Sequence, residues 1–325
     1  MDGLPLPRFD RATFDRSTAQ RTLKAPIGCV GTGLHSGEQI SLTLRPNAAN
    51  GGIVFRRSDL GIDIPARFDH VADTRLCTIL ETQGARVGTV EHVMAALAAC
   101  GVDNAIIEVD GAEIPVLDGS AAPFVFLIDC AGTVEQDAVA RAIEVRRVVR
   151  VEDAGSFVEL HPSGTPGLDI DVSIAFAAAA IGQQSLSMHL TETSFRAEIS
   201  AARTFAMASD IAGLQAIGLA RGGSLDNAIV VDDARILNPA GLRMPDEFVR
   251  HKVLDVIGDL ALAGAAIHGR LVAHRPGHGL NNRLLRALFA DAANWAWTDV
   301  SAQALAAQDW TPAQAGWSLT MAAAA

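Results

Sequence analysis

Residues 169–176 read DIDVSIAF, with Ile170, Val172, Ile174 and Phe176 at every second position and Asp169, Asp171, Ser173 and Ala175 between them. A period of two places successive side chains on opposite faces of a strand, so the spacing predicts a strand with one buried face. Working outward, ISLTLR at 40–45 alternates in the same way through Ile40, Leu42 and Leu44. The glycine-bearing loop PNAANGG follows it and leads into GIVFRR, which predicts an antiparallel hairpin with one buried face. Each half of the chain therefore opens with half-buried antiparallel sheet.

Each half then continues in the same order. The first half is read as helix 91–100, apolar strand 103–110, a glycine-containing loop 111–120 and helix 122–130. The second is read as helix 247–263, strand 266–274, loop 275–279 and helix 280–290. The repeated order suggests duplication, whereas the shared string DNAIIEVD at 103–110 and DNAIVVDD at 226–233 is read as coincidence, because the second copy precedes its helix. Strands with helices packed on one face, twice over, predict an α+β fold of two similar domains. The expected boundaries are a flexible extension at 1–17, a first domain at 18–136, a linker at 137–143 within the polar TVEQDAVARA, a second domain at 144–298, and a mobile tail at 299–325.

Composition narrows the partners. A net charge of −11 argues against nucleic acid, which needs a basic surface, while leaving room for a local basic pocket. The four cysteines, Cys29, Cys77, Cys100 and Cys130, lack the close pairing of a metal ribbon or redox motif and are read as reduced, mostly buried thiols of a cytoplasmic protein. The start, MDGLPLPRFDRATFDRST, has neither the basic nor the apolar region of a signal peptide. The longest bland apolar stretch, IAFAAAAIG at 174–182, falls short of the roughly 18–20 residues of a membrane span, so a membrane could be met only transiently at its surface.

Chemistry concentrates in four segments. In EFVRHKVLDVIGDL at 247–260, His251 and Asp255 stand four apart, on one helix face and within reach of one ion. The alternative for such a pair is a solvated surface contact. TVEHVMAALAAC at 89–100 adds His92 beside Glu91 at a helix start, a third ligand next to a carboxylate able to take a proton from activated water. Two histidines, an aspartate and an open fourth position describe a catalytic zinc, since a structural zinc is closed by four protein ligands. RPGHGLNN at 275–282 places His278 in a glycine-flanked turn ahead of a helix, where capping is the alternative role. ARTF at 202–205 offers the Thr204 hydroxyl to a developing oxyanion.

Eight motifs occur in order: GTGLHSG at 31–37, DTRLCT at 73–78, TVEH at 89–92, DGSAAPF at 118–124, ARTF, GGSLDNAIVVDD at 222–233, HKVLDVIGD at 251–259 and GHGLNN at 277–282. From about Gln20 to about Ala293 the chain thereby resembles the UDP-3-O-acyl-N-acetylglucosamine deacetylases of lipid A biosynthesis. The resemblance implies two β-α-α-β layers with the active site in the cleft between them. It implies a zinc-dependent hydrolysis that releases acetate from UDP-3-O-(3-hydroxyacyl)-N-acetylglucosamine, with ferrous iron acceptable to the same donors. His92, His251 and Asp255 would hold the ion and Glu91 would be the general base. His278 would act in its charged form, oriented by Asp259, with Thr204 on the oxyanion. Lys252 would add positive potential, against the alternative of a snorkelling surface lysine.

Arg275 falls where the family meets the nucleotide diphosphate, and His35 is expected to line the cleft. Phe205 is expected to contact substrate, and the segment after ARTF offers Met207, Ile211, Leu214, Ile217, Leu219 and Leu225, among which spacings of three and four recur. Periodicity favours an amphipathic core helix there, whereas the resemblance implies a passage for the acyl chain. Three departures bear on substrate contacts: Ala206-Met207 replaces Gly-Phe after ARTF, four alanines follow Phe176 where Asx-His-Pro is usual, and VEDAGS at 151–156 lacks a basic residue. Two other functions compete, a deacetylase of another N-acetylated nucleotide sugar and a catalytically silent lipid or nucleotide-sugar binder. The intact set Glu91, His92, His251, Asp255 and His278 argues against the silent binder. The ending SLTMAAAA is of the kind a processive protease engages.

Overall fold

The computed structural model describes residues 17–300. The expected extension, and the tail with its protease, lie almost wholly outside them.

The first half is built on a five-stranded sheet in the order Ile27–Thr32, Gln39–Pro46, Ala105–Val109, Ile53–Arg57 and Ile62–Pro65. The hairpin expected between 40–45 and 52–57 does not form. Ala105–Val109 enters between the two strands, antiparallel to Gln39–Pro46 and parallel to Ile53–Arg57. Alternation states which face of a strand is buried and is silent on its neighbour. Here the apolar AIIEV run fills the central position, and Asn104 anchors the connecting loop by accepting from the Gly52 N–H at 2.7 Å.

The second half is a seven-stranded sheet around the long strand Ala266–His274. Leu168–Ala175 runs parallel to it and forms a hairpin with Gln183–Leu190. Every second residue of Leu168–Ala175 is buried, as its alternation predicts. The expected linker 137–143 is paired backbone rather than loop. Thr133–Val139 pairs with Ala19–Leu23, and Arg141–Val145 joins the second sheet. Its polar side chains sit on exposed strand faces, a pattern that composition alone cannot separate from a loop.

Six α-helical segments occur among the described residues: α1 (Glu91–Ala99), α2 (Ala122–Ala131), the single turn α3 (Glu192–Ser194), α4 (Ala208–Ala216), α5 (Glu247–Ala261) and α6 (His278–Ala290). α2 packs on the first sheet, α5 and α6 on the second, and α1 and α5 face one another. One apolar core runs through all these layers, with Phe55, Phe124, Phe195 and Phe248 fully buried. Each such side chain stabilises the fold by roughly 1.5–3 kcal/mol. The arrangement is the expected α+β one, with helices between two sheets.

Two small three-stranded sheets complete the described residues' strands. One is Val71–Asp73, Ile79–Thr82 and Ala85–Val87; the other is Phe205–Met207, Ile229–Asp232 and Arg235–Ile236. The second copy of the repeated DNAI string therefore lies in an accessory sheet, the first in a central strand. Of the four cysteines, all free, Cys77 and Cys100 are buried, Cys29 is half-buried and Cys130 is exposed, fewer buried than expected. Among the described residues no helix is long and apolar enough to cross a membrane.

Candidate active site

The helical period of α5 brings His251, Asp255 and Asp259 to one buried face, and α1 begins opposite them with Glu91 and His92, also buried. The Nε2 atoms of His251 and His92 lie 3.3 and 3.8 Å from Asp255 Oδ1. The two imidazoles meet edge to face, 5.1 Å between centres. His251 Nδ1 is 3.1 Å from the Ala202 carbonyl, which can only accept, so Nδ1 carries the proton and Nε2 presents its lone pair.

Burial pushes His92 down to about 3, helped by the neighbouring His251, and burial also lowers His251. Both rings are neutral, the form that binds a cation. Burial alone would raise Asp255, but His251 and Lys252 hold it well below the usual carboxylate range. Lys252 Nζ donates to Asp255 Oδ2 at 2.9 Å, which leaves Oδ1 to face the imidazoles. Burial opposes the charge on Lys252, and Asp255 more than offsets it, so its pKa is raised. The solvated-lysine alternative does not hold.

Ligand atoms of His92, His251 and Asp255 all lie within 4.8 Å of one another. The buried Nδ1 of His92 has no hydrogen-bond partner. Two neutral imidazoles and one carboxylate fit a divalent cation with a position left open.

Beside this group stand an acid and a base. His278 is the first residue of α6 and not part of the preceding turn, because the Asn281 N–H already closes a helical bond to the Gly277 carbonyl at 3.0 Å. Its Nδ1 donates to Asp259 Oδ2 at 2.8 Å, and its Nε2 is 3.9 Å from Glu91 Oε1. Burial disfavours the imidazolium, but Asp259 and Glu91 outweigh it and raise His278 to about 10. Glu91 is pushed up to about 7, chiefly by burial and further by Asp259 and Asp255, against the pull of His278. Opposite environments thus separate a charged acid from a base poised near neutrality.

Three residues missed in the sequence are Thr78 and Asn281, which bond the carboxylates of this pair, and Glu113, which bonds the adjoining loop. Thr78 donates its hydroxyl to Asp259 Oδ1 at 2.6 Å and its N–H to Glu91 Oε2 at 3.1 Å. Asn281 donates to Asp259 Oδ2 at 2.8 Å. Glu113 accepts from the His35 and Ser36 N–H groups and from the Ser36 and Thr89 hydroxyls, which ties the GLHSG loop to the start of α1. Thr78 and Asn281 lie inside quoted motifs, but their partners are distant in sequence. His35 points both ring nitrogens into buried space without a hydrogen bond. Burial lowers its pKa against the pull of Glu113, and the charge on His278 lowers it further.

The ARTF strand is held from both sides. Thr204 N–H donates to the Gly119 carbonyl and its carbonyl accepts from Ile229 N–H, at 2.9 and 2.8 Å. Gly119 has φ +83°, and a Cβ there would lie 1.9 Å from the Asn227 carbonyl oxygen. The buried Arg203 guanidinium pairs with Glu247 at 2.8 Å, another contact missed in the sequence. Phe205 packs edge-on between Phe176 and Phe248, its ring 6.2 Å from His251, with Lys252 Nζ 5.6 Å from its centre.

Beyond it, α4 has no buried residue, so the core alternative for Ile211 and Leu214 is excluded. The helix stops at Ala216. Ile217 is 72% exposed and Leu225 42% exposed in a later turn, so these and Leu219 are not part of the helix, contrary to their spacing; Gly218 takes φ +85°. Arg275 is exposed, three residues before His278, with φ +51° and its N–H on the Ser173 carbonyl at 2.7 Å. A cavity of about 920 Å³ lies further along α1 and α5, between Met94, Leu97, Leu168 and Leu260, and none of the groups above lines it.

Residues 20–290 match the family described as UDP-3-O-acyl N-acetylglycosamine deacetylase (LpxC). The chain is 51% identical over 281 residues to a UDP-3-O-acyl-N-acetylglucosamine deacetylase of Idiomarina loihiensis, covering 85% of this chain and 91% of that protein. It is 50% identical to proteins of the same name from Vibrio vulnificus, covering 86% of this chain and 92% of the relative, and from Haemophilus influenzae, covering 85% and 92%.

Proposed function

The chain belongs to the UDP-3-O-acyl-N-acetylglucosamine deacetylase family, and from that premise we propose how its residues carry out the hydrolysis. The activity is removal of the N-acetyl group from the acylated UDP-sugar in lipid A biosynthesis. The ion is read as zinc, held by His92, His251 and Asp255, with ferrous iron acceptable to the same donors. When bound, it supplies Lewis acidity that polarises the acetamido carbonyl and lowers the pKa of water.

Glu91 takes a proton from the attacking water through Oε1, the oxygen not engaged by Thr78. A base near pH 7 is matched to that task. As water adds, the Thr204 hydroxyl and the Lys252 ammonium stabilise the charge gathering on the carbonyl oxygen. His278, kept charged by Asp259, delivers the Nε2 proton to the amide nitrogen as the C–N bond breaks. Acetate and the free amine leave. The observation that carries this reading is the 3.9 Å approach of His278 Nε2 to Glu91 Oε1 beside the His-His-Asp group.

The acyl chain is assigned to Phe205, Met207, Ile211, Leu214, Ile217 and Leu225, and the diphosphate to Arg275, with His35 lining the site. The division into domains at 18–136 and 144–298, with the site between them, and a cytoplasmic location are part of the same proposal; the four free thiols support the latter. The test is acetate release from the acylated UDP-sugar before and after chelation, then after restoring zinc or iron. Activity is expected to vanish and return with metal. Full activity after complete metal removal would overturn the reading.

A further inference from the structure

Asp259 belongs to the second half of the chain and Glu91 to the first, yet acid and base must face one another at a fixed separation. Thr78, itself only 1% exposed, hydrogen-bonds both carboxylates. Its N–H occupies Glu91 Oε2 and leaves Oε1 toward His278. Its hydroxyl occupies Asp259 Oδ1 and leaves Oδ2 for His278 Nδ1 and Asn281. Each carboxylate thus has one oxygen pinned by Thr78 and the other aimed at the histidine.

We propose that Thr78 is a positioning residue for the deacetylation, setting the separation and alignment of Glu91 and His278 across the cleft. This rests on the reading of Glu91 as base and His278 as acid. Without the hydroxyl, buried Asp259 Oδ1 loses its donor, and the carboxylate turns to recover a partner, carrying the imidazole with it. The backbone N–H contact to Glu91 survives any side-chain change, so substitution isolates the hydroxyl.

Thr78→Ser and Thr78→Ala both delete the methyl group and differ only in the hydroxyl; Thr78→Val keeps the shape and lacks the hydroxyl. In Thr78→Ala and Thr78→Val, kcat is expected to fall about tenfold to a hundredfold, the cost of a small misalignment. KM should stay within about twofold and metal content should be unchanged, and Thr78→Ser should restore kcat toward the wild-type value. In metal-free protein, the His278 Nδ1–H resonance in proton–nitrogen spectra should move in the Ala and Val variants and hold its place in Ser. Equal kcat in the Ser and Ala variants, or a resonance unmoved in all three, overturns the proposal. Should Ala fail to fold, the Ser and Val pair decides in the same way. Glu91→Ala and His278→Ala serve as controls: if these retain activity, the acid–base reading itself fails, while the resonance still reports whether Thr78 holds His278.

Discussion

Gly258 of α5 meets the backbone of Glu91 so closely that a Cβ at position 258 would lie 2.0 Å from the Glu91 carbonyl oxygen. Backbone against backbone at this point sets how near Asp255 and Asp259 come to Glu91 and His92. Propensity alone favours Gly258→Ala by about 1 kcal/mol in a helix interior. Overpacking costs about 1–3 kcal/mol, and the obstacle here is backbone that cannot turn aside. Gly258→Ala is therefore expected to lower the denaturant midpoint and to lower kcat with it; a midpoint at or above wild type would show that α1 and α5 tolerate separation.

The ligand assignment predicts graded losses of metal. His92→Ala and His251→Ala should each leave purified protein well short of a full equivalent. Asp255→Asn, which keeps an oxygen donor, should be milder than His251→Ala. Elemental analysis after dialysis checks this, and undiminished metal in all three variants would remove these residues from the site.

Proton transfer predicts losses without loss of metal. Glu91→Ala and His278→Ala should each reduce kcat by about a hundredfold or more while binding the ion normally. Activity requires Glu91 deprotonated and His278 protonated, so the wild-type profile should rise through an acidic limb and fall through a basic one. In the metal-free protein the shifts place those groups at about 7 and about 10, and a bound cation will draw both limbs lower. Glu91→Gln should leave no rising limb in its residual activity; an unaltered profile would exclude Glu91 as its source.

Stability of the metal-free protein should depend on the same histidine. Its folded pKa, about 10, exceeds the ordinary 6.5 of the unfolded chain. The stabilisation is complete below the unfolded value and disappears as pH rises through the folded one. Wild-type denaturant midpoints should thus fall between about pH 7 and pH 10, and more steeply than those of His278→Gln. Parallel curves would mean that Asp259 does not hold a charged imidazole.

The exposed α4 makes acyl recognition separable from catalysis. Burial of about five methylenes at about 0.8 kcal/mol each amounts to roughly 4 kcal/mol, or about a thousandfold. Unacylated UDP-N-acetylglucosamine should be a poorer substrate by about that factor in kcat/KM. Leu214→Asp should depress turnover of the acylated substrate and scarcely touch the unacylated one. Equal responses would return Leu214 to an ordinary surface role and favour a broader nucleotide-sugar deacetylase.

What this sequence determined by itself is local. The alternation at 168–175 specifies a buried strand face, and the four-residue step from His251 to Asp255 specifies a shared helix face, because both follow from backbone geometry within a few residues. Glu91, His92 and His278 were candidates for a related reason, each standing in a short motif on or beside a helix, whereas Asp259 was a candidate through the family resemblance. What only the tertiary structure decided concerns neighbours that no period encodes. The strands at 39–46 and 53–57 read as a hairpin until the burial of 105–109 separates them. Lys252 turns inward because Asp255 and the Phe205 ring await it there. The bond from Thr78 to Asp259 spans 181 residues, and that from Arg203 to Glu247 spans 44. Such pairs form where two sheets and their helices close on one core, and the free energy that selects them is that of the whole packed core, not of any segment that contributes a residue.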